Sequence, residues 1–278
     1  MPLLSVLWGI ALLSLVTVSL LGSSTTSQKL ARNAVNAAQV DAVAEAAVVY
    51  AVAGLIDPRP DRRWRADGRP ERFSLRGIRA SVEIQDELGL VDLNYADRPV
   101  LFGLLRSAGA DLEQANSIVE AILEWRSPIG APSGESQANR GDRGPDAVVP
   151  RHGLFQSVDE LRLVAGMTPH LYRLIAPALT VYSQRQMVDP QLAPREVLVA
   201  LPGMAPERAD QIVAERGDKQ AGDSGPEDVL SSLKGRAFGI RIAIDAANGR
   251  HAYHAVIRLT DDPSQIYWLL DWRDGSAM

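Results

Sequence analysis

Cysteine is absent from this chain, and only four histidines occur (His152, His170, His251 and His254). The missing thiols exclude disulfides, thiolate nucleophiles and Cys-ligated zinc, and leave the redox compartment open. Charge is absent over one long run. From Leu3 to Leu21 (LLSVLWGIALLSLVTVSLL) there is no Asp, Glu, Lys or Arg. These nineteen residues, at ~1.5 Å each, are long enough to cross a hydrocarbon core of ~30 Å. Glycine and proline are absent from Ala31 to Ala53, where sixteen of twenty-three residues are Ala or Val. An apolar helix is therefore expected to run on into a long Ala-rich stalk. Gly54, as a helix C-terminal residue, and Pro58 beyond it are expected to end it. Catalytic signatures are missing too: no G-x-S-x-G, no G-x-x-x-x-G-K-[ST], no H-E-x-x-H and no EF-hand spacing occurs. No enzyme, catalytic residue or small-molecule substrate is read from the chain.

Three other readings of the first stretch compete with a spanning helix that runs on into a stalk. A cleavable signal would carry a basic n-region and an apolar run of ~7–15 residues, and neither fits. A plain tether and a buried core helix remain. The chain begins Met-Pro-Leu-Leu, and its first basic residues, Lys29 and Arg32, lie after the span. Flanking charge therefore leaves the orientation ambiguous. Either the recorded start lies inside the reading frame, or something other than flanking charge orients the segment.

Of 278 residues, about 220 remain beyond the helix, enough for one or two soluble domains. Apolar content of 46% and charged content of 23% are ordinary globular values. The net charge of −5 argues mildly against a nucleic-acid partner.

Residues 57–79 carry eight Arg among Pro58, Pro60, Gly68, Pro70 and Gly77, and read as an exposed connection. Ser81-Val82-Glu83-Ile84 alternates as a half-buried strand does. A turn and a short extended piece follow, through Asn94. Helices are expected at Pro99–Arg106 and Leu112–Trp125, with Leu112, Ala115, Ile118, Val119 and Ile122 on one stripe. Residues 127–153 hold nine Pro and Gly and read as a long loop. Helical patterns return at Val158–Val164 and Pro169–Leu179. Near the end, Phe238, Ile240, Ile242 and Ile244 alternate, Asn248-Gly249 signals a hairpin, and Tyr253, Ala255, Ile257 and Leu259 return. Ile266–Leu270 supplies a third strand. Such a sheet needs a cover, and the C-terminal half of the long helix is the natural one.

An internal repeat lies between. Residues 91–104 (VDLNYADRPVLFGL) and 188–201 (VDPQLAPREVLVAL) share seven of fourteen positions. Ala115-Asn116-Ser117-Ile118-Val119 leads to Glu124-Trp125-Arg126 as Ala209-Asp210-Gln211-Ile212-Val213 leads to Glu215-Arg216. One helical hairpin cannot bury its apolar face alone, whereas two can pack together. The expected architecture is α+β. It has a transmembrane and stalk helix (1–55, span about 3–21), an α+β body (56–90 plus 235–278) and an inserted helical subdomain with two hairpin repeats (91–234).

Candidate sites are few. His251 and His254 stand three apart in a strand, on opposite faces, and read as surface histidines rather than a metal pair. Glu135, Asp142 and Asp146 are oxygen donors of the kind calcium takes, but their spacing fits no rigid loop. Leu201-Pro202-Gly203-Met204-Ala205-Pro206, with Ala209 and Ile212, is similar to the helix-hairpin-helix element of DNA-binding proteins. Its second glycine is replaced by Ala205, and residues 188–216 carry five acids against three Arg. The reading is a scaffold hairpin.

With these residues set out, the chain resembles the general secretion pathway protein K family, the large minor pseudopilins of type II secretion. Four features carry the resemblance: the VLWGIALLSLV anchor, the segment VEIQDELGLVDLN, the pair SVDELRLVAGM and IAPALTVYS, and the second repeat ending LPGMAPERADQIVAER. The resemblance implies a long membrane-spanning helix packed on a small antiparallel sheet, with a large all-α insertion. It implies a place at the tip of a periplasmic pseudopilus, held in the inner membrane by one pass, in a complex with I- and J-type minor pseudopilins. The role is protein transport rather than catalysis. The family begins with a basic leader ending in Gly; a start upstream of Met1 would supply it. Relatives also carry an acidic, calcium-associated run after the first hairpin's Trp. Here that place reads Trp125-Arg126-Ser127-Pro128, so no cofactor or metal is assigned. Most pilin-type subunits place a Glu early in the span to neutralise a preceding subunit's amine, and this span has none. The runner-up reading is a membrane-anchored DNA receptor of the competence type.

Overall fold

The computed structural model describes residues 2–128, 150–218 and 232–275. Its helices are α1 (Pro2–Leu55), α2 (Arg98–Ser107), α3 (Leu112–Arg126), α4 (Pro169–Ile175), α5 (Arg195–Ala200) and α6 (Pro206–Asp218). Its strands are β1 (Asp67–Leu75), β2 (Ile78–Asp86), β3 (Val91–Asp92), β4 (Leu179–Thr180), β5 (Ala237–Ala246), β6 (Gly249–Leu259) and β7 (Tyr267–Gly275).

Helix α1 runs without a break through Gly9 and Gly22 into the stretch 31–53 that holds neither Gly nor Pro; at ~1.5 Å per residue it is about 80 Å long. Its C-terminal half has one apolar face: Val40, Val43, Ala44, Ala47, Val48, Ala51, Val52 and Leu55 are all buried. They recur at three- and four-residue steps, the spacing that keeps a helix face on a core. That face lies on an antiparallel sheet of order β1-β2-β5-β6-β7. The expected alternation supplies the other side of this core: Val82 and Ile84, then Phe238, Ile240, Ile242 and Ile244, then Tyr253, Ala255, Ile257 and Leu259. The Tyr253 hydroxyl donates to Asp41 Oδ1 (2.8 Å) and ties the sheet to the helix.

Three local expectations are corrected. Part of the Arg-rich connection is a strand: β1 pairs with β2, and Arg76-Gly77 makes their turn at φ 51° and 84°. An edge strand tolerates the proline and charge that made this stretch look like a loop. Gly54 does not cap α1. A Cβ there would lie 2.5 Å from the Trp64 ring, and the Trp64 backbone N–H donates to the Gly54 carbonyl (2.9 Å), so the glycine makes room for the indole. Leu112 is exposed, because the buried stripe of α3 begins one turn later, at Ala115.

A second core belongs to the helical residues between Leu90 and Ile212. It contains the duplicated units and the short helices between them. A two-residue parallel pair, β3 with β4, was not foreseen. The two units make equivalent contacts. Asp92 accepts from the backbone N–H groups of Asn94 and Ala96, and Asp189 accepts from those of Gln191 and Ala193. Arg126, at the end of α3, donates to the carbonyls of Leu93 (2.9 Å) and Ala96 (2.8 Å). Arg216, in the last turn of α6, donates to those of Pro190 and Ala193. Each hairpin is thus clamped to its own entry loop by an arginine fork, which can hold two carbonyls at once.

The units meet through equivalent positions. A Cβ on Gly103 of α2 would fall 2.1 Å from the Ala200 carbonyl oxygen of α5. Gly103→Ala in an exposed helix would gain up to about 1 kcal/mol. Here it should instead lower stability by about 1–3 kcal/mol, through overpacking. Thermal unfolding of the full chain in detergent tests the sign: a lower Tm is expected, and an unchanged or higher Tm contradicts this packing.

Candidate functional site

The segment Gln85–Asn94 joins the sheet to the helical core, and its side chains reach every neighbouring part. Asp86 is fully buried, caps the short helix Glu87–Gly89 through the Leu88 N–H, and pairs with Arg236 beside β5. Gln85 Nε2 donates to the Leu192 carbonyl (2.9 Å), and the Leu88 carbonyl accepts from Asp189 N (2.8 Å). Gly89 lets these chains touch, since a Cβ there would sit 2.4 Å from the Leu192 oxygen. The Asp92 carboxylate also accepts from the Ser183 hydroxyl (3.0 Å) and Gln184 N (2.8 Å). Asn94 exchanges two hydrogen bonds with the backbone of Phe155 (2.7 and 2.9 Å), as a paired strand residue would. Further out, Arg258 donates to the Tyr182 carbonyl (3.0 Å) and Arg273 pairs with Asp159 (2.7 Å).

Three carboxyl groups are therefore buried in one joint. Burial pushes the Glu87 carboxyl from its ordinary 4.5 up to about 7. Its Thr180 hydrogen bond pulls the other way, while Asp86 and Asp92 add to the rise. Burial also raises Asp86 against the pull of Arg236, and raises Asp92 against its backbone donors. Gly239 of β5 gives Glu87 its space, because a Cβ there would lie 2.5 Å from Glu87 Oε1. The arrangement links the sheet to the helical core through hydrogen bonds of both side chains and backbone.

The sequence-predicted candidates do not converge. His251 lies near the β5–β6 turn, with Nε2 3.1 Å from Asn248 Oδ1. His254 lies on the opposite face, as the strand parity requires. It is half-buried rather than exposed, and burial, followed by the charge of Arg273, holds its pKa below the ordinary value. The neighbouring Glu87–Gly239 contact and the helical insertion cover that side of the sheet, which local sequence does not reveal. Glu135, Asp142 and Asp146 lie outside the described residues. Among the described residues no cluster of three His, Asp or Glu side chains could hold a metal ion.

The hairpin between α5 and α6 turns at Gly203 (φ 75°). The arginines of its unit already have partners. Arg195 makes a bidentate pair with Asp210 (2.5 and 3.1 Å), Arg208 reaches Gln211 (3.2 Å) and Glu215 (3.7 Å), and Arg216 is buried in its clamp. Arg98 of the first unit likewise pairs with Glu120 and Asn116 of α3. Phosphate binding needs cations that are free to replace counterions.

Two outcomes follow. Folded Glu87 keeps its proton to about pH 7 and the unfolded chain releases it near 4.5. Its stabilising contribution is therefore complete below about pH 4.5 and is lost as the pH rises through 7. Relative to the native chain, Glu87→Gln should gain on the order of 2–3 kcal/mol between pH 5 and pH 8. Chemical unfolding at both pH values checks this; an equal difference at both contradicts it. Second, the full chain in detergent should not retard duplex DNA at micromolar concentration in 50 mM salt. Retardation with a steep salt slope would favour the DNA-receptor reading.

Comparison with known proteins adds to this geometry. Residues 72–184 match the family model described as type II secretion system, protein K. A comparison with curated proteins finds no match. Among solved structures, the chain is similar to one chain of the crystal structure of the GspK-GspI-GspJ complex from the enterotoxigenic Escherichia coli type 2 secretion system. The TM-score is 0.60 at 16% identity, over 88% of this chain and 99% of that one. That similarity shows a shared fold, an N-terminal apolar helix on an antiparallel sheet with a helical insertion. Over residues 72–184, then, the chain is similar to the protein K family of type II secretion systems.

Proposed function

We propose that the chain is a minor pseudopilin that initiates and caps the tip of a periplasmic pseudopilus. Its partners in this reading are the I- and J-type minor pseudopilins. One observation carries it: the single helix α1 has two differently solvated halves. From Val40 on, its apolar face is covered by the sheet. Near its start, Leu3, Leu4, Val6, Leu7, Trp8, Ile10, Leu12 and Leu13 are all exposed, between 59% and 86%. A helix apolar all round, exposed to this degree among the described residues, belongs in lipid or among other helices. The window Gln28–Leu55 is also long and apolar enough to cross a membrane, but half of it is buried in the protein. It serves as the core helix of the body, and the uncharged run Leu3–Leu21 is the span. The reading places that span in the inner membrane as a single pass, with the body in the periplasm.

The work is then mechanical. The span carries no acid with which to neutralise the amine of a subunit ahead of it. A buried charge in hydrocarbon needs such a partner, and a subunit with no predecessor does not. The helical insertion, residues 91–234 in this reading, adds bulk that obstructs stacking of a further subunit. The buried joint at Gln85–Asn94 keeps that bulk fixed to the sheet.

Deleting residues 95–234 tests the capping role in a secreting cell. Pseudopili should still assemble, but with altered length and number. Filaments unchanged in both respects would refute capping.

A further inference from the structure

The two edges of the sheet are built differently. β1 forms one edge and is protected: Pro70 has no N–H to offer, the register with β2 shifts between Asp67 and Pro70, and Arg69, Glu71 and Arg72 are charged. These are the usual means of keeping an edge strand from pairing. β7 forms the other edge, with no strand beyond it among the described residues. It carries Trp268, Leu269, Leu270 and Trp272 at 63%, 52%, 38% and 36% exposure.

The register assigns these side chains to both faces. Leu269 stands opposite Ile257 and Trp272 opposite Ala255, on the α1 side; Trp268 stands opposite Arg258, on the far side. Leu270 is the extra residue where the register with β6 shifts. The charges of β7 lie in its second half, at Asp271, Arg273 and Asp274, and Arg273 pairs with Asp271 (2.6 Å) and with Asp159 (2.7 Å). The half Tyr267–Leu270 is therefore uncharged and apolar on both faces, beside a row of backbone N–H and C=O groups with no strand to pair with.

We infer that β7 is the docking edge for an extended strand of another pilin-type subunit, which adds to the sheet as a further strand. An extended chain satisfies the whole backbone row, and its alternate apolar side chains meet Trp268 on one face and Leu269 with Trp272 on the other. A helix laid on the same surface leaves that row unpaired. A second copy of this chain is not the occupant, because a subunit that caps a tip is present once. The inference rests on the assembly reading above and specifies which surface serves it.

Hydrogen–deuterium exchange on the full chain in detergent, alone and copurified with the I- and J-type subunits of its own system, reads the pairing directly. Backbone amides of β7 should exchange at least about tenfold more slowly in the complex, with those of β1 unchanged. Trp268→Glu with Leu270→Glu should weaken partner binding by about tenfold or more while the Tm of the chain alone stays the same. A complex that leaves β7 exchange unaltered overturns the docking edge and leaves the assembly reading intact. No complex with either subunit overturns the assembly reading, and the docking edge with it. Protection of β7 that grows with the concentration of this chain alone assigns the edge to a second copy and overturns the inference.

Discussion

Three carboxyl groups, Asp86, Glu87 and Asp92, are taken out of water in a segment of ten residues, Gln85–Asn94. Burying a carboxylate costs several kcal/mol unless donors replace its water. Every neighbouring part of the chain supplies one. Arg236 comes from the approach to β5, Thr180, Ser183 and Gln184 from the stretch beside β4, and Leu88 N and Asn94 N from the segment itself. Separating the helical core from the sheet would break the hydrogen bonds that cross between them, Gln85 to the Leu192 carbonyl, Asp189 N to the Leu88 carbonyl and Arg258 to the Tyr182 carbonyl, and these tie the two cores together. The segment functions as a weld between an anchor-bearing sheet and a bulky insertion, which suits a part that bears load rather than one that reacts.

The insertion follows the same logic on a smaller scale. Each duplicated unit closes its own entry loop with an Asp at the start and an arginine fork at the end, so that each is locally complete in hydrogen bonds. What neither can complete alone is apolar burial, which the packing of α2 on α5 provides at Gly103 and Ala200. Duplication therefore gives a rigid mass from a short local rule. The arginines that a DNA-binding hairpin would turn outward are instead used within each unit.

Much of this was legible wherever a side chain reports its own environment. The alternation of Phe238–Ile244 and Tyr253–Leu259, the repeat and the long helix could all be read from residue order. The hairpin near Asn248-Gly249 was foreseen, although its register is Ala246 opposite Gly249, so that Ala247 and Asn248 form the turn. What escaped was set by distant partners. Strand β1 looks like a loop because Pro70 and its arginines are legal only at an edge, and only the sheet order makes it one. The turn before β2 adopts positive φ at Arg76 and Gly77 without the usual Asn or Asp. The DELGLVD stretch reads as a turn and a short extended piece, and its burial depends on residues such as Arg236, 150 positions away. His254 was misjudged for the same reason, since the elements covering it lie far off in sequence.

The functional reading depends on how the parts follow one another: an apolar helix that leaves its own fold uncovered, a sheet that covers the other half of that helix, and a welded mass above. In the function proposed above, a subunit of this form begins a filament and does not extend it. Site-specific gold labelling of the chain on isolated pseudopili, counted by electron microscopy, tests that claim most directly. One label at one end of each filament is predicted; labels repeated along the shaft would contradict it.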